Sequence, residues 1–143
     1  MSLDDLYREV ILDHYSHPRN KGVANPADVT REGTNPLCGD EIRVSLRVRN
    51  GIVEDVRFDG KGCSISQASA SMMTEQLKGQ RVEDAARLIA AFKAMMHGDP
   101  IPPEGLGDLE ALQGVRKFPV RVKCATLPWF TFEMALEEVP PAS

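Results

Sequence analysis

Leu3, Leu6, Tyr7, Val10, Ile11 and His14 fall at i, i+3, i+4, i+7, i+8 and i+11, the spacing of one stripe along an amphipathic helix. Ser2 is placed to cap that helix, and Asp4 and Asp5 occupy its first turn, where carboxylates favour the helix dipole. His17-Pro18 ends it, because the residue before proline avoids the helical region. The turn formers Asn20, Gly22, Asn25 and Pro26 then predict a loop.

The period changes to two at Ile42, Val44, Leu46 and Val48, which alternate with Arg43, Ser45, Arg47 and Arg49. That is the pattern of a half-buried strand, and residues 52–58 supply a partner across Asn50-Gly51. A two-residue loop would pair Arg49 with Ile52 and set Leu46 opposite Asp55. A three-residue loop pairs Val48 with Ile52, Val44 with Val56 and Ile42 with Phe58, which puts apolar side chains on one face. The pattern therefore predicts the three-residue loop with Gly51 in the left-handed region, and leaves Glu54 opposite Leu46 as a misfit. A third strand is predicted at 28–34.

Helical periodicity returns over Ile65–Lys78, closed by Gly79, and over Val82–Met96, closed by Gly98 and Pro100. Three prolines and three glycines within 98–107 predict a loop, followed by a short helix at 108–113. A final helix presents Trp129, Phe132, Leu136 and Val139 on one face, with Pro128 expected near its first turn. The predicted class is α+β: one domain over 1–143, a small antiparallel three-stranded sheet with helices packed on one face.

Composition narrows the function. The 143 residues are 42% hydrophobic and 27% charged, with a net charge of −4, so a nucleic-acid binder, normally basic, is not expected. No run of 18 apolar residues suggests a membrane span, and the acidic N-terminus has no secretory core, so a cytoplasmic protein is expected. Its three cysteines are then thiols or metal ligands rather than a disulfide framework.

Those cysteines all lie where elements start or stop. Cys38 is in a loop before a strand, Cys63 between a strand end and a helix start, and Cys124 on the approach to the last helix. A merely structural cysteine is usually buried within an element; three at element ends point to a site. Cys63 and Cys124 are expected near helix N-termini, where free N–H groups favour thiolate. Lys61 and Lys123 stand close to them and add positive charge, or are simply solvated. Three soft thiolates suit zinc or iron. Asp40 is a candidate fourth ligand, although an Asx turn or strand entry explains its spacing as well. The cysteine spacings of 25 and 61 residues fit no zinc-finger pattern. His14 reads as a packed histidine, His17 and His97 as helix-end residues, and Met72, Met73, Met95 and Met96 as core. Arg116, Lys117, Arg121 and Lys123 form a basic cluster, either solvated or a dock for an acidic partner.

Asn-Pro-x-Cys-Gly-Asp at 35–40, Gly-x-Gly-Cys-x-Ile-Ser-x-Ala-Ser at 60–69 and the lone later Cys124 resemble the U-type iron–sulfur assembly family (IscU and SufU). Ile11-Leu12-Asp13-His14-Tyr15 with Pro18-Arg19-Asn20 resembles the same family's first helix. Lys123 stands where IscU-type members carry histidine, and with the long stretch between Cys63 and Cys124 it resembles the SufU branch. The resemblance implies Zn2+ held by Cys38, Asp40, Cys63 and Cys124. It implies sulfur accepted as a persulfide from a PLP-dependent cysteine desulfurase of the SufS kind and passed to downstream cluster assembly proteins. It leaves as the alternative a scaffold for iron or a transient [2Fe–2S] cluster. Cys38, on a loop, is the expected sulfur acceptor, with Cys124 the alternative. Arg121 and Lys123 are expected to dock the partner or stabilise thiolate.

Overall fold

The computed structural model describes residues 2–139. Its elements run α1 (Leu3–Ser16), β1 (Val29–Asn35), β2 (Asp40–Arg49), β3 (Ile52–Lys61), α2 (Ser64–Leu77), α3 (Val82–Met96), a 3₁₀ helix (Gly107–Val115) and α4 (Pro119–Glu137). The strands form one antiparallel sheet in the order β1-β2-β3, so the third strand predicted at 28–34 is present as β1. The helices pack against the sheet face formed by Ile42, Val44, Leu46, Val48, Val53, Val56 and Phe58, each no more than 2% exposed. On the opposite face the loop after α1 covers Ser45, whose hydroxyl accepts the Ala24 N–H.

The hairpin corrects the predicted register. Its loop has two residues, Asn50 (φ +56°) and Gly51 (φ +74°), and Arg49 pairs with Ile52 and Val48 with Val53. A bulge then shifts the pairing, so that Arg47 meets Asp55, Leu46 meets Val56 and Val44 meets Phe58. Neither uniform register considered from sequence allows for this. The extra residue, Glu54, stands outside the ladder, so Val53 and Val56 share the buried face although three positions apart. The misfit at Glu54 was the mark of the bulge.

The last helix is also longer than its pattern suggested. Pro119 opens α4 at its first turn, where a missing N–H costs nothing, and Pro128 lies inside the helix rather than near its start. Val139 lies beyond the helix end. Trp129 is buried and stacks on Phe92 of α3, with ring centroids 4.3 Å apart, and its indole N–H donates to Ser69 of α2. Gly33 of β1 faces α4 so closely that a Cβ there would strike the Thr131 hydroxyl. These contacts lay α4 across β1 and β2 and fix where its first half ends up.

The α1 stripe is only half covered. Ile11 and His14 are buried, whereas Leu3 and Leu6 are 60% and 46% exposed. His14 is packed, as expected, between Ser71 Oγ at 2.8 Å and Asp108 Oδ2 at 2.9 Å. His17 and His97 are the C-caps of α1 and α3, and the four methionines named above are core.

Candidate metal centre

Asn35 and Asp40 face one another at the end of the β1–β2 ladder, and the four residues between them form a tight turn. The Cys38 N–H donates to the Asn35 carbonyl at 3.2 Å, and the Asn35 side-chain oxygen accepts the Leu37 N–H at 3.3 Å. Proline after Asn35 presets the turn, and Gly39 takes the left-handed conformation (φ +68°) that returns the chain to β2. Cys38 is thereby carried half-buried on the turn.

Cys63 is the N-cap residue of α2 but makes no side-chain cap of its own. Asp40 does that work from the sheet: its Oδ1 accepts the Cys63 N–H at 2.8 Å and the Ser66 hydroxyl at 3.1 Å. A Cβ on Gly62 would strike Asp40 Oδ1 and Ser66 Oγ, and one on Gly60 would strike the Glu41 carbonyl. The glycines of the Gly60-Lys61-Gly62-Cys63 segment therefore let the carboxylate reach the helix start. Asp40 Oδ2 lies 3.9 Å from Cys63 Sγ.

Cys124 comes from α4, buried, and its Sγ lies 2.7 Å from Cys38 Sγ. It is the sixth residue of that helix rather than near the N-terminus, because Pro119 starts the helix five residues earlier. Free helical N–H groups therefore do not serve this thiol; the Asn35 side-chain amide does, donating to Cys124 Sγ at 3.8 Å. Pro128 has no N–H for the carbonyl four residues back, which is that of Cys124. One residue on, the Ser69 hydroxyl donates to the Ala125 carbonyl and pins this stretch of α4 to α2.

Ligand atoms of Cys38, Asp40 and Cys124 all lie within 4.8 Å of one another, and Cys63 adjoins them through Asp40. Burial pushes the Cys124 thiol well up, and its contacts with Cys38, Asp40 and Cys63 push in the same direction. Asp40 is 1% exposed, and among the described residues no lysine, arginine or histidine forms an ion pair with it. A buried carboxylate against three thiols, without a protein cation, fits a divalent metal, since buried charges are paired or coordinate metals. Donor atoms around a tetrahedral zinc lie about 3.5–3.8 Å apart. The Asp40–Cys63 separation is close to that, and the Cys38–Cys124 pair would open by about 1 Å to seat the ion.

The basic residues take no part in these contacts. Arg121 and Lys123 are exposed, and neither donates to a cysteine sulfur among the described residues. Lys61 pairs at 3.6 Å with Glu41. Sequence reasoning passed over Asn35 and Ser66, although both lie within the motifs that carry the cysteines. A second grouping, His14 with Glu75 and Asp108, has its histidine nitrogens already bonded to Ser71 and Asp108.

Residues 6–125 match the family model described as the NifU-like N-terminal domain. A relative from Bacillus subtilis (strain 168), named zinc-dependent sulfurtransferase SufU, is 53% identical over 133 residues, covering 92% of this chain and 90% of its own. A relative from Thermotoga maritima, named iron–sulfur cluster assembly scaffold protein IscU, is 40% identical over 134 residues and 94% of each chain. A crystal structure from Fervidobacterium islandicum AW-1, described as an assembly scaffold for the SUF system, aligns with TM-score 0.85 at 35% identity, over 94% of this chain and 99% of that one.

Proposed function

The chain belongs to the NifU-like N-terminal domain family, and on that premise we propose that it is a zinc-dependent sulfur acceptor in iron–sulfur cluster assembly. Its donor would be the persulfide of a PLP-dependent cysteine desulfurase, and its recipients downstream assembly proteins in the cytoplasm. The observation that carries this reading is the convergence of three thiols on a buried carboxylate that has no cationic partner among the described residues. Similarity to the Bacillus subtilis sulfurtransferase supports it. No described helix is long and apolar enough to cross a membrane.

Cys38, Asp40, Cys63 and Cys124 would hold the zinc, which when bound supplies the positive charge that keeps the thiols deprotonated. Asp40 ties the β1–β2 turn to the start of α2, and Asn35 orients Cys124. Cys38 is the acceptor, because its half-buried sulfur on a turn is reachable while Cys124 is buried. The Cys38 thiolate attacks the outer sulfur of the incoming persulfide. That S–S bond breaks, the desulfurase thiolate leaves, and Cys38 carries the sulfur as a persulfide. Arg121 and Lys123, exposed beside the site in sequence, are free to meet an acidic surface on the donor.

The same four residues would serve an iron or [2Fe–2S] scaffold, the role named for the Thermotoga maritima relative. Lys123 in place of a histidine beside Cys124 favours the relay. The test is metal analysis of the purified chain together with desulfurase turnover. One zinc per chain and a stimulation lost in Cys38→Ala are expected; stimulation that survives in Cys38→Ala moves the acceptor elsewhere.

A further inference from the structure

The acceptor role of Cys38 leaves a second thiol without a chemical part beyond ligation. Cys124 is buried, cannot meet a donor protein directly, and holds its sulfur 2.7 Å from that of Cys38. Seating a metal would open that separation by about 1 Å, which still leaves the two sulfurs neighbours, and the reaction proceeds once Cys124 leaves the ion. We propose that Cys124 is a resolving thiol: it attacks the Cys38 persulfide, releases the stored sulfur as sulfide and closes a Cys38–Cys124 disulfide. This deepens the sulfur-acceptor reading and rests on it.

The geometry selects which sulfur is attacked. Cys124 Sγ is in contact with Cys38 Sγ itself, the inner sulfur of the persulfide, whereas the added outer sulfur would project from the half-buried turn. Attack on the inner sulfur forms the Cys38–Cys124 bond and breaks the bond to the outer sulfur, which leaves with the electron pair as hydrosulfide. The two cysteine sulfurs are oxidised by two electrons and the transferred sulfur is reduced by two, so no outside oxidant or reductant is needed. Attack at the outer sulfur would instead move it to Cys124, in the buried interior. Placing nucleophile and target in one structure gives the internal reaction a high effective concentration over an external thiol. Asn35, donating to Cys124 Sγ, tethers the attacking sulfur beside Cys38. Closure ties up two of the four candidate ligands, so a chain resolved in this way should bind metal less well, and a dithiol reductant must reopen it.

The step can be separated from the acceptor reading by loading sulfur in two ways. The metal-loaded chain is treated either with desulfurase and cysteine or with inorganic polysulfide, then desalted without reductant. Sulfide release, intact mass and disulfide peptide mapping are followed together. The wild type is expected to gain one sulfur atom at Cys38, then lose it as sulfide while a Cys38–Cys124 linked peptide appears and metal is released. In Cys124→Ser the Cys38 persulfide should persist. Wild type stripped of metal with a chelator should still form the linked peptide after polysulfide loading, so loss of the ion alone does not account for a persistent persulfide in Cys124→Ser. Equal decay of the persulfide in Cys124→Ser and wild type overturns the proposal, as does the added sulfur mapping to Cys124. Loading by polysulfide but not by desulfurase overturns the acceptor reading and leaves the resolving step measurable.

Discussion

Asp40 Oδ1 accepts the backbone N–H of Cys63 at 2.8 Å, so a carboxylate at the first position of β2 caps a helix whose N-cap residue lies 23 positions later. One oxygen is committed to the fold, and Oδ2 faces the Cys63 sulfur. Asp40→Ala should therefore damage both, lowering apoprotein stability by about 1–3 kcal/mol and weakening metal retention. Asp40→Asn keeps an acceptor for the N–H, so it should leave the apoprotein within about 1 kcal/mol of wild type while still losing metal more readily. Thermal unfolding with and without chelator, read beside metal content, separates the two effects.

Gly33 shows how tightly α4 is laid on the sheet. Gly33→Ala would drive a methyl group into the Thr131 hydroxyl, with Leu127 also in contact range. We expect a loss of about 1–3 kcal/mol in urea unfolding, the usual range for overpacking. Because α4 carries Cys124, metal affinity should fall with it, and a variant as stable as the wild type would contradict the packing described.

Ser69 makes two bonds inside the core, giving its proton to the Ala125 carbonyl and accepting the Trp129 indole N–H at 3.0 Å. Ser69→Ala leaves the buried Trp129 indole N–H without its partner, at about 1–3 kcal/mol. Trp129 is the only tryptophan, so its fluorescence reports the change directly.

Asp28 ties the chain before β1 to β2 through its charge. Its carboxylate accepts the Val48 N–H at 2.7 Å and pairs with Arg49, and these contacts, the backbone bond first, hold its pKa below the ordinary carboxylate range. A group depressed in the folded state stabilises fully above its unfolded pKa, about 3.9, and loses that contribution as pH falls through the lower folded value. Asp28→Asn should therefore lower stability at neutral pH, with the difference from wild type shrinking below about pH 4. A difference that stays constant down to pH 2 would show that Asp28 acts without its charge.

Periodicity and end signals determined the helix and strand content of this chain. The stripe of α1, the alternation from Ile42 to Val48 and the glycine stops depend only on neighbouring residues and therefore could be read directly. The motifs around Cys38 and Cys63 likewise pointed to Asp40 as part of a site. Three things awaited the tertiary structure. The hairpin register needed a bulge at Glu54, whose position follows from which side chains the helices bury rather than from the turn alone. The placement of Cys124 in the second turn of α4 depended on Pro119 starting the helix and on Gly33 and Trp129 seating it. The 2.7 Å approach of Cys124 to Cys38 joins residues 86 positions apart. Local propensity carries no information across such a separation; only packing of α4 on the sheet brings the two sulfurs together.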